Sequence, residues 1–308
     1  MSISPDRTIV ETSIEELPAP AIPPSRAVWR ALFRNPTAVV SVGVLLTIIL
    51  AAVFVPVISP YNYAFQTNDI SAGPSQRHWL GTDDSGYDIA VRLAVGGRIS
   101  LFIGIGVETV CLLVGITIGL MAGYYGKWAD TLLMRFTDMM FAFPDILLAI
   151  LIMSVVSPGR LGVVAGLGAI FATLVVTGWP SLARLVRGQT LVVKSREFVE
   201  AARAIGAPSG QIMFKHILPN LLSPIVVAAT IDIAGIVVAE STLSFLGLGI
   251  QPPLPSWGTL ISYPLESGYW TQYPGLVLYP AIALTLTVLS FNFLGDALRE
   301  ALDPRSGE

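Results

Sequence analysis

Four carboxylates fall inside long apolar stretches of the chain: Glu108, Asp145, Asp232 and Glu240. An ionised carboxylate at mid-bilayer costs about 2.5–3.5 kcal/mol even on a lenient insertion scale, so each needs a reason to be there. One reason is a pathway, in which some of these acids face a central route and meet a passing cationic group. The other is structural: pairing at a subunit interface, or hydrogen bonding within the chain. Glu240 is followed by Ser241 and Thr242, small polar residues that allow another helix to pack closely. Asn292 divides in the same way, between the pathway and an interhelical hydrogen bond. Metal and thiol chemistry have little to build on. There is one cysteine, Cys111, in an apolar setting, and the two histidines, His78 and His216, stand far apart, so no metal site and no catalytic residue is assigned. The Gly-x-x-x-x-Gly-Lys-Ser/Thr phosphate loop does not occur, which leaves the energy source to a partner or to an ion gradient.

The elements that position these groups follow from composition. Of 308 residues, 53% are hydrophobic and 13% charged, with mean hydropathy +0.70. A soluble domain carries about a quarter charged residues, so this chain cannot cover the surface of a water-soluble globule. Disorder, a coiled coil and a nucleic-acid binder are excluded together, since each needs more charge. About 20 apolar residues are needed to cross about 30 Å of hydrocarbon. Six stretches qualify, at 37–58, 99–122, 132–156, 161–180, 221–246 and 276–298, the third and fourth forming a tight hairpin about the turn Ser157-Pro158-Gly159-Arg160. Residues 1–28 read as a flexible cytoplasmic tail without a secretory signal, the first span serving as an uncleaved insertion signal. With the N-terminus inside, only Arg77, Arg92, Arg98 and Arg160 of the 18 lysines and arginines fall outside. The positive-inside rule then places both termini in the cytoplasm.

Two outer segments exceed simple turns. Residues 59–98 carry His78-Trp79-Leu80-Gly81-Thr82-Asp83 and a predicted short helix at 88–95. Residues 247–275 carry Trp257, Tyr263, Tyr269, Trp270 and Tyr273, which read as an interfacial belt or as a docking surface for a soluble outer partner. The inner segment 181–220 holds six basic residues, Arg184, Arg187, Lys194, Arg196, Arg203 and Lys215. Within it a helix is predicted with Phe198, Ala202 and Ile205 on one face and Glu197, Glu200 and Arg203 on the other. Gly206 ends it, Ser209 caps a second short helix, and Pro219 marks the turn into the fifth span. A basic inner loop can simply touch lipid headgroups. Acids within the helix and a fixed bend favour a protein partner instead.

Glu200-Ala201-Ala202, Gly206 and Ile217-Leu218-Pro219 resemble the EAA loop of permease subunits of binding-protein-dependent ABC importers. His216, where the general pattern has isoleucine, resembles the dipeptide/oligopeptide/nickel branch. Its C-type subunit is resembled by Trp29-Arg30…Asn35-Pro36, the His78–Asp83 run, Gly97-Arg98-Ile99-Ser100-Leu101, Ala122-Gly123-Tyr124-Tyr125-Gly126, Ala142-Phe143-Pro144, Ser244-Phe245-Leu246-Gly247-Leu248-Gly249, Pro255-Ser256-Trp257-Gly258, Asn292-Phe293-Leu294-Gly295-Asp296 and Leu302-Asp303-Pro304-Arg305.

The resemblance implies an all-α polytopic membrane protein with six transmembrane helices, the type I ABC importer permease fold and a cytoplasmic coupling helix. It divides the chain into the tail 1–28, a first helix with an extracytoplasmic loop at 29–98, a five-helix core at 99–302 with the EAA loop at about 197–220, and a cytoplasmic tail at 303–308. The implied location is the bacterial inner membrane. The implied partners are a second, B-type permease, two cytoplasmic ABC ATPases and an extracytoplasmic substrate-binding protein, with membrane lipid around them and no nucleic acid. The resemblance also implies that this chain binds no cofactor, ATP and Mg belonging to the ATPases. Glu200, Ala201, Ala202, Gly206, His216, Leu218 and Pro219 are the implied coupling residues, Glu200 facing charged groups of an ATPase groove. The implied cargo is a di- or oligopeptide, and on the pathway reading its cationic amino end meets some of the intramembrane acids. Nickel, glutathione or an opine-type ligand remain open within the branch, and an ion-coupled secondary carrier or a channel or scaffold component outside it.

Overall fold

The computed structural model describes residues 25–156 and 162–302. The expected turn at 157–160 and the C-terminal tail lie outside the described residues, as does most of the N-terminal tail. What is described is helical apart from its loops and one isolated bridge, Thr82 to Asp88. The helices are α1 (Ser25–Arg34), α2 (Pro36–Ile58), α3 (Ile89–Tyr125), α4 (Lys127–Phe141), α5 (Asp145–Val156), α6 (Val163–Lys194), α7 (Glu197–Ala204), α8 (Ser209–Gln211), α9 (Leu218–Phe245), α10 (Trp257–Ser267) and α11 (Gly275–Leu302).

α2, α3, α6, the continuous run Ser209–Phe245 and α11 are long and apolar enough to cross a membrane. The expected third span is different. α4 and α5 meet at 77°, a bent pair rather than one straight helix. Pro144 is the cause: it has no N–H, and it drives Phe143 out of helical conformation. Other expected limits shift because helices outrun the apolar core of their own sequence. α3 starts at Ile89 and absorbs the short helix predicted at 88–95, so the boundary expected between residues 98 and 99 falls inside a helix. α6 continues past Pro180 to Lys194, which turns the first third of the expected inner loop into helix. α1 begins at Ser25, inside the segment expected to be flexible. α10 occupies the middle of the second outer loop, its start fixed by reciprocal hydrogen bonds between Ser256 and Thr259.

α2 shows how a membrane helix is held here. Asn35 caps it, its side-chain oxygen accepting from the N–H groups of Thr37 and Ala38. Val40, Leu46, Leu50 and Val53 point away from the protein, as suits a lipid-facing surface. Pro56, inside α2, offers no N–H to the carbonyl of Ala52 four residues back. Arg98 of α3 supplies the missing donor. Its Nη2 and Nε donate to the Ala52 carbonyl oxygen at 2.8 and 3.2 Å, and Nη2 also reaches that of Val53 at 3.3 Å. An unsatisfied carbonyl in hydrocarbon costs several kcal/mol. Arg98→Ala is therefore expected to lower the thermal unfolding temperature of the purified protein by several degrees. Pro56→Ala, which restores the N–H, is expected to recover most of that loss. A double variant no more stable than Arg98→Ala contradicts this pairing.

α3 is the central post, packed against α2, α6 and α9. Its seam with α6 is lined by Gly115, Gly119 and Gly123, one turn apart, which bring the two backbones close. At the C-terminal end of α3 Lys194 donates to the carbonyl oxygens of Gly123 and Tyr124, capping α3 from α6. Arg187 of α6 holds Asp130 of α4 through two parallel bonds of 2.7 and 2.6 Å, and Arg184 holds Asp138 at 2.6 Å. Two of the six cations expected in a loop thus lash α4 to α6.

Candidate functional site

The break between α4 and α5 borders an open cavity of about 400 Å³ lined also by α3, α6 and α9. Glu108 enters it from α3, Phe143, Pro144 and Asp145 from the break, Thr177 and Ser181 from α6, and Asp232 from α9. Three of the five pathway candidates therefore converge on one space. Glu108 is 3% exposed, and its Oε1 has no hydrogen-bond partner. Asp145 begins α5 and is exposed, with its Oδ1 accepting from the N–H of Ile146 at 2.8 Å. The hydroxyls of Thr177 and Ser181 donate within α6, to the carbonyls of Thr173 and Gly178 at 3.2 and 3.1 Å. Their lone pairs are left for the cavity.

The other two candidates stand elsewhere. Glu240 is fully buried, and Ser100 and Ser244 donate to it at 2.8 and 2.7 Å with Ser241 at 3.5 Å. Ser244 Oγ also accepts from the N–H of Ile250 at 3.1 Å. Its surroundings match internal hydrogen bonding, a tie between α3, α9 and the start of the second outer loop. Asn292 donates to the Val288 carbonyl of its own helix at 2.9 Å. Thr177 and Ser181 carry no motif in the sequence, and Phe143 enters there only within the Ala142-Phe143-Pro144 run. Pro144 and Pro180 beside them were the available signal, since proline loosens the backbone where a helix borders a cavity.

At the opposite end of α6 the predicted bend is present. α7 runs from Glu197 to Ala204, and Gly206 follows in the left-handed region with φ +81°. The N–H of Ala207 reaches the Ala202 carbonyl at 3.1 Å and that of Gly206 reaches Arg203 at 3.0 Å, which closes the helix as a Schellman motif. The expected apolar face is corrected. Val199 and Ala202 are the buried pair, packed with Leu120, Tyr124, Val186, Ile217 and Leu221 of α3, α6, the π-helical turn Ile212–Ile217 and α9. Phe198 and Ile205 point outward, Ile205 being 85% exposed, because it follows the helical residues and has left their face. Ser209 is not a cap: Pro208 holds that position, and no side chain caps α8. A widened, π-helical turn, Ile212–Ile217, contains His216 and leads into Leu218-Pro219 at the start of α9. Glu200 and Ala201 are exposed beside Phe198, whereas Ala202 is spent on packing within the chain.

The two long loops expected on the outer side are tied down by polar contacts. His78 is buried, with Nδ1 2.8 Å from Asp88 and Nε2 3.2 Å from Asp69, and stacks on Tyr61. Asp88 in turn caps α3 through the N–H of Val91 at 2.9 Å. Burial pushes the Asp83 carboxyl above its usual range, against the N–H groups of Tyr87 and Ser85 and the guanidinium of Arg92 at 3.0 Å. Tyr263 of α10 donates to Asp84 at 3.2 Å and so joins the two loops. Trp257 is neither belt nor docking surface. It is buried in the bundle and donates to the Leu93 carbonyl at 3.2 Å.

A family model described as the binding-protein-dependent transport system inner membrane component matches residues 115–308, and one described as the N-terminal TM domain of oligopeptide transport permease C matches residues 24–74. The chain is 41% identical to the dipeptide transport system permease protein DppC of Alkalihalophilus pseudofirmus, over 92% of this chain and 91% of that one. It is 40% identical to the oligopeptide transport system permease protein OppC of Bacillus subtilis, over 91% of each. It is 43% identical to the glutathione transport system permease protein GsiD of Pectobacterium atrosepticum, over 92% and 91%. Among solved structures, a chain of the MetNI methionine ABC transporter in an inward-facing conformation superposes with a TM-score of 0.54 at 23% identity, covering 68% of this chain and 96% of that one. That likeness speaks to the fold.

Proposed function

The chain belongs to the family of binding-protein-dependent transport system inner membrane components, and from that premise we propose that it passes di- or oligopeptides into the cytoplasm. It is a multi-span permease subunit of an ABC importer and not an enzyme; ATP is hydrolysed by separate subunits. An ion-coupled carrier is set aside by that membership. The observation that carries the peptide reading is identity near 40% to dipeptide and oligopeptide permeases along nine-tenths of the chain. Glutathione, itself a tripeptide, is a second reading, favoured by 43% identity to a glutathione permease.

The assembly we infer contains a second, B-type permease, two ATPases on the cytoplasmic side and a binding protein outside, with both termini of this chain in the cytoplasm. Its motor contact is the outward face of α7 and the turn after it. Phe198, Ile205 and Phe214 stand exposed there beside Glu197 and Glu200, an apolar patch rimmed by acids. The inward face of α7 is packed into the cluster that joins α3, α6 and α9. A push on α7 therefore moves the inner ends of three spans together, which suits a switch between inward- and outward-facing states. The cavity around Glu108 lies in the same bundle, where such a switch changes which side it opens to. Native mass spectrometry of the complex extracted in mild detergent tests the assembly. One copy of this chain, one second permease and two ATPases is the expected composition, and a homo-oligomer without ATPase is the contrary one.

A further inference from the structure

The cavity between α3, α6, α9 and the α4–α5 break has an unusual balance of hydrogen-bonding groups. Three carboxylates line it, Glu108, Asp145 and Asp232, and among the described residues no lysine, arginine or histidine does. Arg184 stands against one lining residue, Phe141. Its guanidinium sits 3.8 Å above the Phe141 ring and is held by Asp138. Thr177 and Ser181 have already spent their hydroxyl protons on α6 carbonyls and present only acceptors. Glu108 Oε1 is buried, faces this space and has no partner within the chain. A buried polar atom in a native protein is almost always satisfied, so one left open beside a cavity points to a group that arrives there. As carboxylates and engaged hydroxyls these groups accept hydrogen bonds, so a ligand rich in donors and positively charged fits them. The volume, about 400 Å³, is within the range that takes a small ligand.

We propose that this cavity binds the ammonium group of the transported solute, with Glu108 accepting one of its N–H bonds, Asp232 adding charge from α9, and the Thr177 and Ser181 oxygens completing the acceptor shell. The proposal rests on the peptide-import reading and deepens it. The free amino end of a peptide is the recognised feature, and the side chains toward the α4–α5 break meet the apolar wall of Met140, Phe141 and Phe143. Amine recognition would then occur within the membrane, in addition to any preference of the binding protein. Glu108 contributes a direct contact, whereas Asp145, exposed at the mouth and bonded to its own helix, contributes field alone.

The test uses the assembled transporter in detergent, without the binding protein, so that the binding protein's own selectivity does not intervene. Dialanine and N-acetyl-dialanine are the probes. The wild-type complex is expected to bind dialanine roughly tenfold or more tightly than its acetylated form, the scale of one charge-assisted hydrogen bond. Glu108→Gln is expected to remove most of that discrimination, and Glu108→Asp to keep part of it, with subunit composition unchanged in both. Equal affinity of the wild type for the two probes overturns the site. So does discrimination that survives both Glu108→Gln and Asp232→Asn. Failure of both Glu108→Gln and Glu108→Asp to assemble with the second permease assigns Glu108 to a subunit contact and also overturns it. A wild-type complex that neither binds nor imports dialanine overturns the peptide reading itself, a result distinct from each of these.

Discussion

Gly119→Val is expected to leave almost no folded protein in the membrane. A Cβ at position 119 would lie 2.6 Å from the Ala183 carbonyl oxygen, 2.6 Å from Val186 Cβ and 2.9 Å from the Arg187 nitrogen. Two of these three atoms are backbone, so no side-chain rotation relieves the overlap; α3 and α6 must separate. Gly115 and Gly123 meet α6 just as closely, with Leu182 Cβ at 2.9 Å and Thr190 Cβ at 2.6 Å, so the seam opens along three turns. Overpacking a well-fitted contact costs about 1–3 kcal/mol where neighbours can adjust. Here adjustment also pulls Arg187 from Asp130 and Lys194 from the end of α3. Gly188, on the same α6, has nothing within 4 Å of its would-be Cβ, so Gly188→Ala is expected to accumulate as wild type. The check is the quantity of monodisperse protein extracted in mild detergent. Wild-type yield of Gly119→Val would show that the helices are not held this closely.

Gly206→Val is expected to leave the chain inserted and assembled and yet to lower substrate uptake tenfold or more. Nothing lies within 4 Å of the position a Cβ would take, so crowding plays no part. The effect comes from φ +81° alone. An L-residue in the left-handed region costs roughly 1–2 kcal/mol, and a β-branched one is the least tolerant. Valine therefore relaxes the backbone toward negative φ, opens the Schellman closure onto Ala202 and re-aims Ile205 and the turn that follows. If α7 is the lever proposed above, ATP hydrolysis continues while transport is lost. Gly206→Asn supplies the control, because asparagine enters the left-handed region readily and is expected to transport near the wild-type rate. Equal transport by the valine and asparagine variants would remove the elbow from the mechanism.

Much of this was legible in the residues. The spans at 37–58 and 276–298 are uniform apolar runs, and α2 and α11 match them to within a few residues. The elbow was legible because Gly206 closes a helix of strong formers, a purely local signal. The Gly-Gly-Arg run at 96–98 reads as the end of a loop, yet α3 passes straight through it. Those glycines lie against α10 and the Trp257 ring, and the arginine completes the α2 backbone. α6 beyond Pro180 loses hydropathy as it leaves the apolar layer, although its hydrogen bonds continue, so hydropathy alone ends the helix too early. Phe198 and Ala202 share a face by spacing, but the bundle selects Val199 and Ala202, and only tertiary contact could decide between those stripes. The convergence of Glu108 and Asp232 and the serine cage of Glu240 join segments far apart in the chain. Single-residue cost arguments show that such acids need partners and cannot say which ones.

The central claim is that this chain transports only as part of an ATP-driven assembly fed from outside. Uptake of labelled dialanine into proteoliposomes containing the full complex tests it most directly, with binding protein outside and ATP trapped within. The account predicts accumulation that requires both ATP and binding protein and disappears when the ATPases are omitted. Accumulation by this chain alone, driven by an imposed proton or sodium gradient without ATP, would contradict it.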